Sequence, residues 1–138
     1  MSKYLKDSAT LVIKSTVPVN TWKKVKEVLN RSDISIVSNP EFLREGTALD
    51  DFFKPDRIVV GSEDSKKANE VAKLYKAKNA KVVFTDNTSA EIIKYASNSF
   101  LAIKLSFVNE IAAYAESTDA NALEVLHAMG LDLSLIHI

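Results

Sequence analysis

Residues 11–37, LVIKSTVPVNTWKKVKEVLNRSDISIV, contain a β-rich run, a helical segment and a second β-rich run in direct succession. The first run, residues 11–16, is closed by a Val-Pro pair, and proline fixes φ and has no N–H to donate. Thr21–Leu29 is predicted to be a helix capped by Thr21, because its apolar residues recur on one helical face. Residues 34–37 form the second predicted strand. A strand, a helix and a strand in this order predict parallel pairing in an α/β sheet.

The same alternation continues beyond this stretch. Residues 58–60 and 81–85 have the composition of two further strands. The segment between them predicts a helix that begins at Asp64 or Ser65 and runs through Lys78, because its apolar residues lie at helical spacing. The first part of the chain is therefore predicted to be a layered α/β sheet.

The second part of the chain has a different pattern. From residue 88 to residue 117 there is neither proline nor glycine, and the apolar residues do not alternate as in a strand. Thr88 and Glu91 have the spacing of a capping box, which predicts the start of a helix about 28 residues and roughly 42 Å long. Helices of this length usually bridge domains or form the seam of an oligomer. Residues 119–129 form a further predicted helix that Gly130 stops.

The composition is that of an ordinary soluble domain, with 46% apolar and 26% charged residues among 138. The 18 basic and 18 acidic residues give zero net charge, which argues against a nucleic-acid-binding surface. No apolar run reaches the roughly 18 residues that span a membrane, so a cytoplasmic protein is expected. The chain has no cysteine, and its two histidines lack partners at metal-ligand spacing. Neither thiol chemistry nor a metal site is therefore predicted.

Polar residues follow the ends of two predicted strands. In open α/β sheets, ligands bind outside the carboxyl ends of the strands, which is where Thr16, Glu41 and Glu45 are placed. On the long helix, Lys94 and Asn98 are four residues apart and share a face, so together they could hold an oxyanion. Two alternatives stay open, namely surface acids on a solvated turn and a polar stripe on an amphipathic helix.

Four stretches resemble the UDP-glucose/GDP-mannose dehydrogenase family. They are IKSTVPVNT (13–21), NPEFLREGTALDDFFKPDRIVVG (39–61), SAEIIKYASNSFLAIKLSFVNEIA (89–112) and MGLD (129–132). Their order and spacing fit throughout residues 11–132, and PDRIVVG is most similar to members that act on UDP-glucose. The resemblance implies the later part of a Rossmann-like parallel sheet domain that binds NAD, residues 1–86, followed by a long central α-helix in residues 87–132.

The resemblance implies an NAD-dependent enzyme that oxidises the C6 hydroxyl of UDP-glucose to a carboxylate in two steps, with two NAD⁺. Members that act on GDP-mannose or UDP-N-acetylhexosamines are the nearest alternatives. The long helix corresponds to the dimer-forming element of the family, so a homodimer is expected. A non-catalytic module that associates through this helix is the alternative from a different class of function.

Several residues take on roles by this resemblance. Thr16 is expected near the nicotinamide, where it helps to order a catalytic water. Glu41 handles a water or a proton, and Glu45 approaches both cofactor and substrate. Lys94 and Asn98 stabilise the oxyanion that develops at C6. The sugar nucleotide is wrapped by the stretch Glu41, Phe42, Leu43, Arg44 and Glu45.

Two features of the family are missing from these 138 residues. The family binds the NAD pyrophosphate with a Gly-rich turn and uses a catalytic cysteine beyond the GLD segment, whereas this chain has three glycines, no G-x-G-x-x-G and no cysteine. We therefore expect an internal fragment that is inactive by itself. Residues 133–138, LSLIHI, depart from the family pattern and are expected to be a non-native tail. Asn20 stands where the family usually has glycine, and asparagine tolerates the left-handed conformation better than most residues.

Overall fold

A computed structural model describes residues 4–75 and 80–135 of the chain. The chain divides between residues 96 and 97 into two compact units. The first unit holds a four-stranded sheet with helices, and the second is entirely helical within its described residues. The α/β class predicted from the alternation of strands and helices is confirmed.

The sheet of the first unit has its strands in the order of the chain. They are β1 (Thr10–Ile13), β2 (Ser35–Ser38), β3 (Arg57–Ser62) and β4 (Lys81–Thr85). β1 pairs with β2 in parallel, and β3 pairs with β4 in parallel. The central pair, β2 with β3, is antiparallel, so the prediction of parallel pairing is wrong at this junction.

The connection between β2 and β3 explains the reversal. It stays at the carboxyl end of β2, where Asn39 Nδ2 donates to the carbonyl of Val59 at 2.7 Å. Its only described helix, α2 (Ala48–Phe53), has six residues, and Arg44 and Asp51 close the connection on itself through hydrogen bonds. For β3 to run parallel to β2, the chain would have to cross back to the end of the sheet at which β2 begins. α2 itself was not predicted, although Thr47 with two acids in the first turn is a helix-start signal.

Two helices cover the two faces of the sheet. Ile36 and Val37 are neighbours in β2, so their side chains point to opposite faces. Ile36 packs with residues of α1 (Thr21–Leu29), and Val37 packs with residues of α3 (Ser65–Ala72). The core is therefore two apolar clusters separated by the sheet, which is the layered arrangement predicted from the sequence.

The helix ends differ from the predictions in detail. The cap of α1 is Asn20, in the left-handed conformation with φ of 67°, and Thr21 is the first helical residue. Asp64 caps α3 as predicted, because its carboxylate accepts from the N–H groups of Lys66 and Lys67. α3 ends at Ala72 rather than Lys78, since i+3 hydrogen bonds tighten the chain at residues 74 and 75. Residues 76–79 lie outside the described part of the chain.

The long helix α4 (Asn87–Ser117) begins one residue before its predicted start. Its cap is Asp86, which accepts hydrogen bonds from the N–H and the hydroxyl of Ser89 at 2.8 and 2.6 Å. These bonds hold the pKa of the Asp86 carboxyl below its usual range. The capping box predicted from Thr88 and Glu91 is wrong, because the Glu91 carboxylate bonds to a different segment of the chain.

The second unit contains the remainder of α4 and the helix α5 (Ala122–Gly130). α5 starts three residues later than predicted because Asn121 caps it, and it includes Gly130 instead of stopping before it. A short 3₁₀ turn, Leu133–Leu135, follows, and residues 136–138 lie outside the description. None of the helices in residues 4–75 and 80–135 is long and apolar enough to cross a membrane.

Candidate functional site

The structure brings Lys94 and Glu41 together at the carboxyl end of β2. Lys94 Nζ lies 3.4 Å from Glu41 Oε1, and the lysine is only 6% exposed. A nearly buried ammonium needs a counter-charge, because its transfer out of water is costly unless it is paired. Glu41 is the carboxylate that supplies this charge, and it remains partly open to solvent. Of the two acids predicted at this edge of the sheet, Glu41 is the one that lies beside the helix amine.

Thr16 borders the same place. A small cavity is lined by Thr16 and Lys94 together with Pro40 and Glu91. Thr16 reaches it because the chain leaves β1 at Ile13 and runs along the carboxyl edge of the sheet. The three elements that meet here are the segment after β1, the segment after β2 and the first turns of α4.

Two buried contacts set the position of Lys94. Asn87, at the start of α4, donates from Nδ2 to the carbonyl of Ile36 and to Ser38 Oγ, each at 3.1 Å. Gly61 lies against the same turn, where a Cβ would come within 2.5 Å of the Asp86 carbonyl oxygen and 2.6 Å of Ala90 Cβ. The helix can approach the sheet this closely only because residue 61 has no side chain. Sequence reasoning did not single out Asn87 or Gly61.

The aromatic ring of Phe42 lies close to two cations. Lys94 Nζ is 5.2 Å from the ring centroid, and the Arg57 guanidinium carbon is 4.1 Å from it. Both distances are within the range of cation–π attraction. Phe42 therefore contacts the Lys94 ammonium from one side while Glu41 pairs with it from another.

Hydrogen bonds within the loop orient its charged residues. Glu41 Oε2 accepts from the N–H of Leu43 at 2.7 Å, which fixes the carboxylate that faces Lys94. The Arg44 guanidinium donates to both oxygens of Asp51 and holds the pKa of that carboxyl below its usual range. The charge of Arg44 is therefore directed at Asp51. Glu45 is exposed, and no ion pair joins it to Lys94 within the described residues.

A second polar cluster lies beside the first and was missed from the sequence. Lys14 Nζ donates to the Tyr75 hydroxyl at 2.6 Å and to Asn39 Oδ1 at 3.1 Å, and the Tyr75 hydroxyl also bonds Asn39 Oδ1. These residues line a cleft, open to solvent, together with Phe42 and Arg57. Lys14 and Asn39 follow β1 and β2 directly, so the strand-end rule that selected Thr16 would have found them.

Asn98 is the remaining predicted site residue. It lies one turn after Lys94 on α4, is exposed, and belongs to the second unit. The role of Asn98 toward a ligand stays a prediction.

Comparison with protein families matches both parts of the chain. Residues 1–79 match the UDP-glucose/GDP-mannose dehydrogenase family, NAD binding domain, and residues 88–137 match the central domain of the same family. The prediction of NAD as the family's cofactor is thereby confirmed. The three glycines of this chain do not form the turn with which the family binds the NAD pyrophosphate. Gly46 lies in a loop with φ of 84°, Gly61 in β3 and Gly130 in α5. None of the three belongs to a Gly-rich turn between a strand and a helix.

Among curated relatives, the chain is 49% identical to the uncharacterized protein MJ1054 of Methanocaldococcus jannaschii, over 91% of this chain and 15% of that protein. It is 44% identical to the UDP-glucose 6-dehydrogenase YwqF of Bacillus subtilis, over 96% of this chain and 31% of YwqF. The chain thus spans less than a third of the length of either relative.

Two solved structures share the fold. One is a UDP-glucose dehydrogenase from the hyperthermophilic archaeon Pyrobaculum islandicum, with a TM-score of 0.82, 45% identity, and coverage of 91% of this chain and 30% of that one. The other is a ternary complex of GDP-mannose dehydrogenase from Pseudomonas aeruginosa, with a TM-score of 0.84, 29% identity, and coverage of 92% and 31%.

Proposed function

This chain belongs to the UDP-glucose/GDP-mannose dehydrogenase family, and from that premise we propose that it forms part of an enzyme that oxidises UDP-glucose at C6. The proposed product is UDP-glucuronate, made in two oxidation steps with two NAD⁺. Residues 1–86 would contribute to the NAD-binding domain and residues 87–132 to the central helical domain. The observation that carries the proposal is the Lys94 ammonium, nearly buried beside Thr16 and 3.4 Å from Glu41.

The proposed chemistry follows from the charges at this place. Oxidation of an alcohol develops negative charge on the oxygen, and an ammonium held out of bulk water stabilises that charge strongly. Lys94 has such an environment because only 6% of its surface is exposed. Glu41, directly beside it, can accept the hydroxyl proton directly or through a water. NAD supplies the hydride acceptor when it is bound.

In this proposal, the other site residues assist the same reaction. Thr16 orders a water near the nicotinamide, and Glu45 approaches cofactor and substrate from the loop. Asn98 assists Lys94 as a neutral hydrogen-bond donor to the oxyanion. The loop residues Phe42 and Leu43 contact the sugar nucleotide, and Arg44 keeps the loop in shape, since both its main-chain N–H and its guanidinium bond to Asp51.

The similarity of the relatives supports UDP-glucose as the substrate. Identity is 44% to YwqF and 45% to the Pyrobaculum UDP-glucose dehydrogenase, but 29% to the GDP-mannose dehydrogenase. GDP-mannose and UDP-N-acetylhexosamines are the alternative substrates within the same reaction type. All three nucleotide sugars carry a hydroxyl group on the carbon that is oxidised, so Lys94 and Glu41 would act in the same way on each of them.

A chimera tests this function. In it, the residues of this chain replace the 137 aligned residues of YwqF, so that YwqF provides every part that this chain lacks. The chimera is expected to reduce NAD⁺ with UDP-glucose and much more slowly with GDP-mannose or UDP-N-acetylmannosamine. Formation of NADH, followed by absorbance, is the measurement.

Two controls accompany the chimera. Unmodified YwqF sets the reference rate, and the 138-residue chain alone is expected to give no NADH, because it has neither the Gly-rich turn nor a cysteine. A folded chimera without activity toward any of the three nucleotide sugars would contradict the proposed function. Turnover by the chain alone would contradict the expectation that further elements are required.

An exposed apolar surface on the second unit favours a second function, self-association. Five side chains of α4 in this unit are each more than half exposed, namely Leu101, Ile103, Leu105, Phe107 and Tyr114. Ile103, Phe107 and Tyr114 are four and seven residues apart, so they share one side of the helix, and an apolar surface of this kind is typical of an interaction site. We propose that the chain forms a homodimer through it, whether or not the chain also contributes to catalysis.

Sedimentation at a series of concentrations tests the dimer. The parent chain is expected to change from monomer to dimer as its concentration rises. Ile103→Glu with Phe107→Glu is expected to weaken the dimer roughly 30-fold or more, because two apolar contacts on one helical face become charged. Asn109→Glu adds a charge at an exposed polar position that is not three or four residues from Ile103, Phe107 or Tyr114, and it is expected to leave the dimer intact. A parent chain that stays monomeric throughout would exclude this function.

A further inference from the structure

Glu91 is a buried acid that the proposed chemistry does not use. It lies on α4 one turn before Lys94, it is 4% exposed, and it lines the cavity that Thr16 and Lys94 share. A carboxylate this deeply buried requires hydrogen-bond donors for its oxygens. The partners of Glu91 therefore indicate what it does.

Both oxygens of Glu91 bond to the main chain at the start of α1. Oε2 accepts from the N–H of Asn20 at 2.6 Å, and Oε1 accepts from the N–H of Trp22 at 2.9 Å. The first N–H groups of a helix have no partners within the helix and carry partial positive charge. Glu91 thus satisfies two of them from 69 and 71 residues further along the chain.

A second pair of contacts joins the same two segments. The indole N–H of Trp22 donates to Thr88 Oγ1 at 2.8 Å, and the Thr88 hydroxyl lies 3.3 Å from Asn20 Oδ1. The turn that precedes α1 is also closed on the helix, because Pro18 accepts at its carbonyl from the N–H and hydroxyl of Thr21. The first turn of α4 and the first turn of α1 are therefore joined at four points.

This arrangement determines where Thr16 lies relative to Lys94. Thr16 is only two residues before Pro18, so it is held at one end by β1 and at the other by the turn that Glu91 secures. Lys94 is one turn beyond Glu91 on the same helix. We propose that Glu91 is a positioning residue, which fixes the segment bearing Thr16 against the helix bearing Lys94. The catalytic consequence rests on the proposed function, whereas the positioning itself does not.

The alternative role for Glu91 is that of a counter-ion to Lys94. Residues three apart on a helix are neighbours, so the sequence alone allows an ion pair between them. In the structure, the Glu91 oxygens bond to α1, and the ion pair of Lys94 is with Glu41. The Glu91 carboxylate therefore does not neutralise the Lys94 ammonium. That ammonium is paired with Glu41, which is partly exposed to solvent.

Glu91→Gln in the 138-residue chain tests the proposal without any need for turnover. Glutamine keeps the shape but offers one oxygen, and its NH₂ group faces the second N–H donor. Amide exchange at Asn20 or Trp22, measured by NMR, is expected to accelerate about tenfold or more. The Thr16 methyl and Lys94 side-chain resonances are expected to shift together, and the amides of Val59 and Val60 in β3 are expected to keep the parent exchange rate.

Glu110→Gln is the matched control, because Glu110 is an exposed acid elsewhere on α4. It is expected to leave all of these signals unchanged. If Glu91→Gln unfolds the chain, Glu91→Asp, which retains the charge, carries the test with the same local changes expected. Any one of three results would overturn the proposal. They are unchanged amide exchange at Asn20 and Trp22, unchanged Thr16 and Lys94 resonances, and, in both variants, exchange in β3 that accelerates as much as at Asn20 and Trp22. If only the proposed function were wrong, the chimera would be inactive, while Glu91→Gln would still change these NMR signals as expected.

Discussion

Replacing Lys94 with methionine in the YwqF chimera is expected to lower kcat for UDP-glucose by roughly 10²- to 10³-fold, with a much smaller change in KM. Methionine has a similar length and fills much of the same space, so packing around Phe42 and Pro40 is largely retained. What is lost is the ammonium next to Glu41. Removing a group that stabilises charge only in the transition state lowers kcat, whereas removing a group that only binds substrate raises KM.

Lys24→Met is the control for this experiment. Lys24 is an exposed residue of α1, so its replacement removes one positive charge without touching the candidate site. It is expected to retain the kcat of the parent chimera within about twofold, since exposed charges contribute little. A Lys94→Met chimera that keeps near-parent kcat would remove Lys94 from the chemistry. A variant that loses activity only through KM would assign Lys94 to substrate binding instead.

Local signals were sufficient for several elements. Thr21–Leu29 and Lys81–Thr85 have the bounds that the sequence predicts. The first has apolar residues at helical spacing, and the second is a run of β-branched and aromatic residues that no helix pattern interrupts. By contrast, β1 ends at Ile13, before the Val-Pro pair that was predicted to close it. Asp64 was identified as a cap because its side chain bonds to N–H groups only two and three residues away. In each case, the contacts that decide the element lie within a few residues of it.

Long-range contacts account for the errors. Thr88 and Glu91 have the spacing of a capping box, but the Glu91 carboxylate is taken by N–H groups of α1, and Asp86 caps α4 instead. The direction of β3 was also missed, because the side-chain alternation of a strand is the same in both directions. That direction follows from the connection between β2 and β3, which stays at the carboxyl end of β2, where Asn39 bonds to the Val59 carbonyl.

The candidate site was accessible to sequence reasoning in part. The rule that ligands bind at the carboxyl ends of strands selected Thr16 and Glu41, and the spacing of Lys94 from Asn98 on the long helix selected Lys94. The structure places these three around one ion pair and one small cavity. The groups that hold them there, Gly61 and Asn87, carry no local signal of function, since each acts through a contact with a distant segment.

Gly61→Ala is expected to have the largest effect on stability among single-methyl changes in this chain. The new Cβ would lie 2.5 Å from the Asp86 carbonyl oxygen and 2.6 Å from Ala90 Cβ, so the start of α4 must move away from β3. Overpacking a filled site typically destabilises a protein by about 1–3 kcal/mol. Movement of α4 would also stretch the hydrogen bonds that the buried Asn87 Nδ2 donates to the Ile36 carbonyl and Ser38 Oγ. Thermal unfolding followed by circular dichroism should show a Tm lower by roughly 3–12 °C.

Gly130→Ala supplies the contrast, because no heavy atom lies within 4 Å of the Cβ that it would add at the end of α5. Alanine is the better helix former, so the change in stability is expected to be between zero and about 1 kcal/mol in the stabilising direction. In the chimera, Gly61→Ala should in addition lower kcat, since Lys94 moves with α4, whereas Gly130→Ala should not. Equal Tm values for the two variants would show that α4 does not depend on close approach to β3. The position of Lys94 beside Glu41 would then require an explanation other than the close approach of α4 to Gly61.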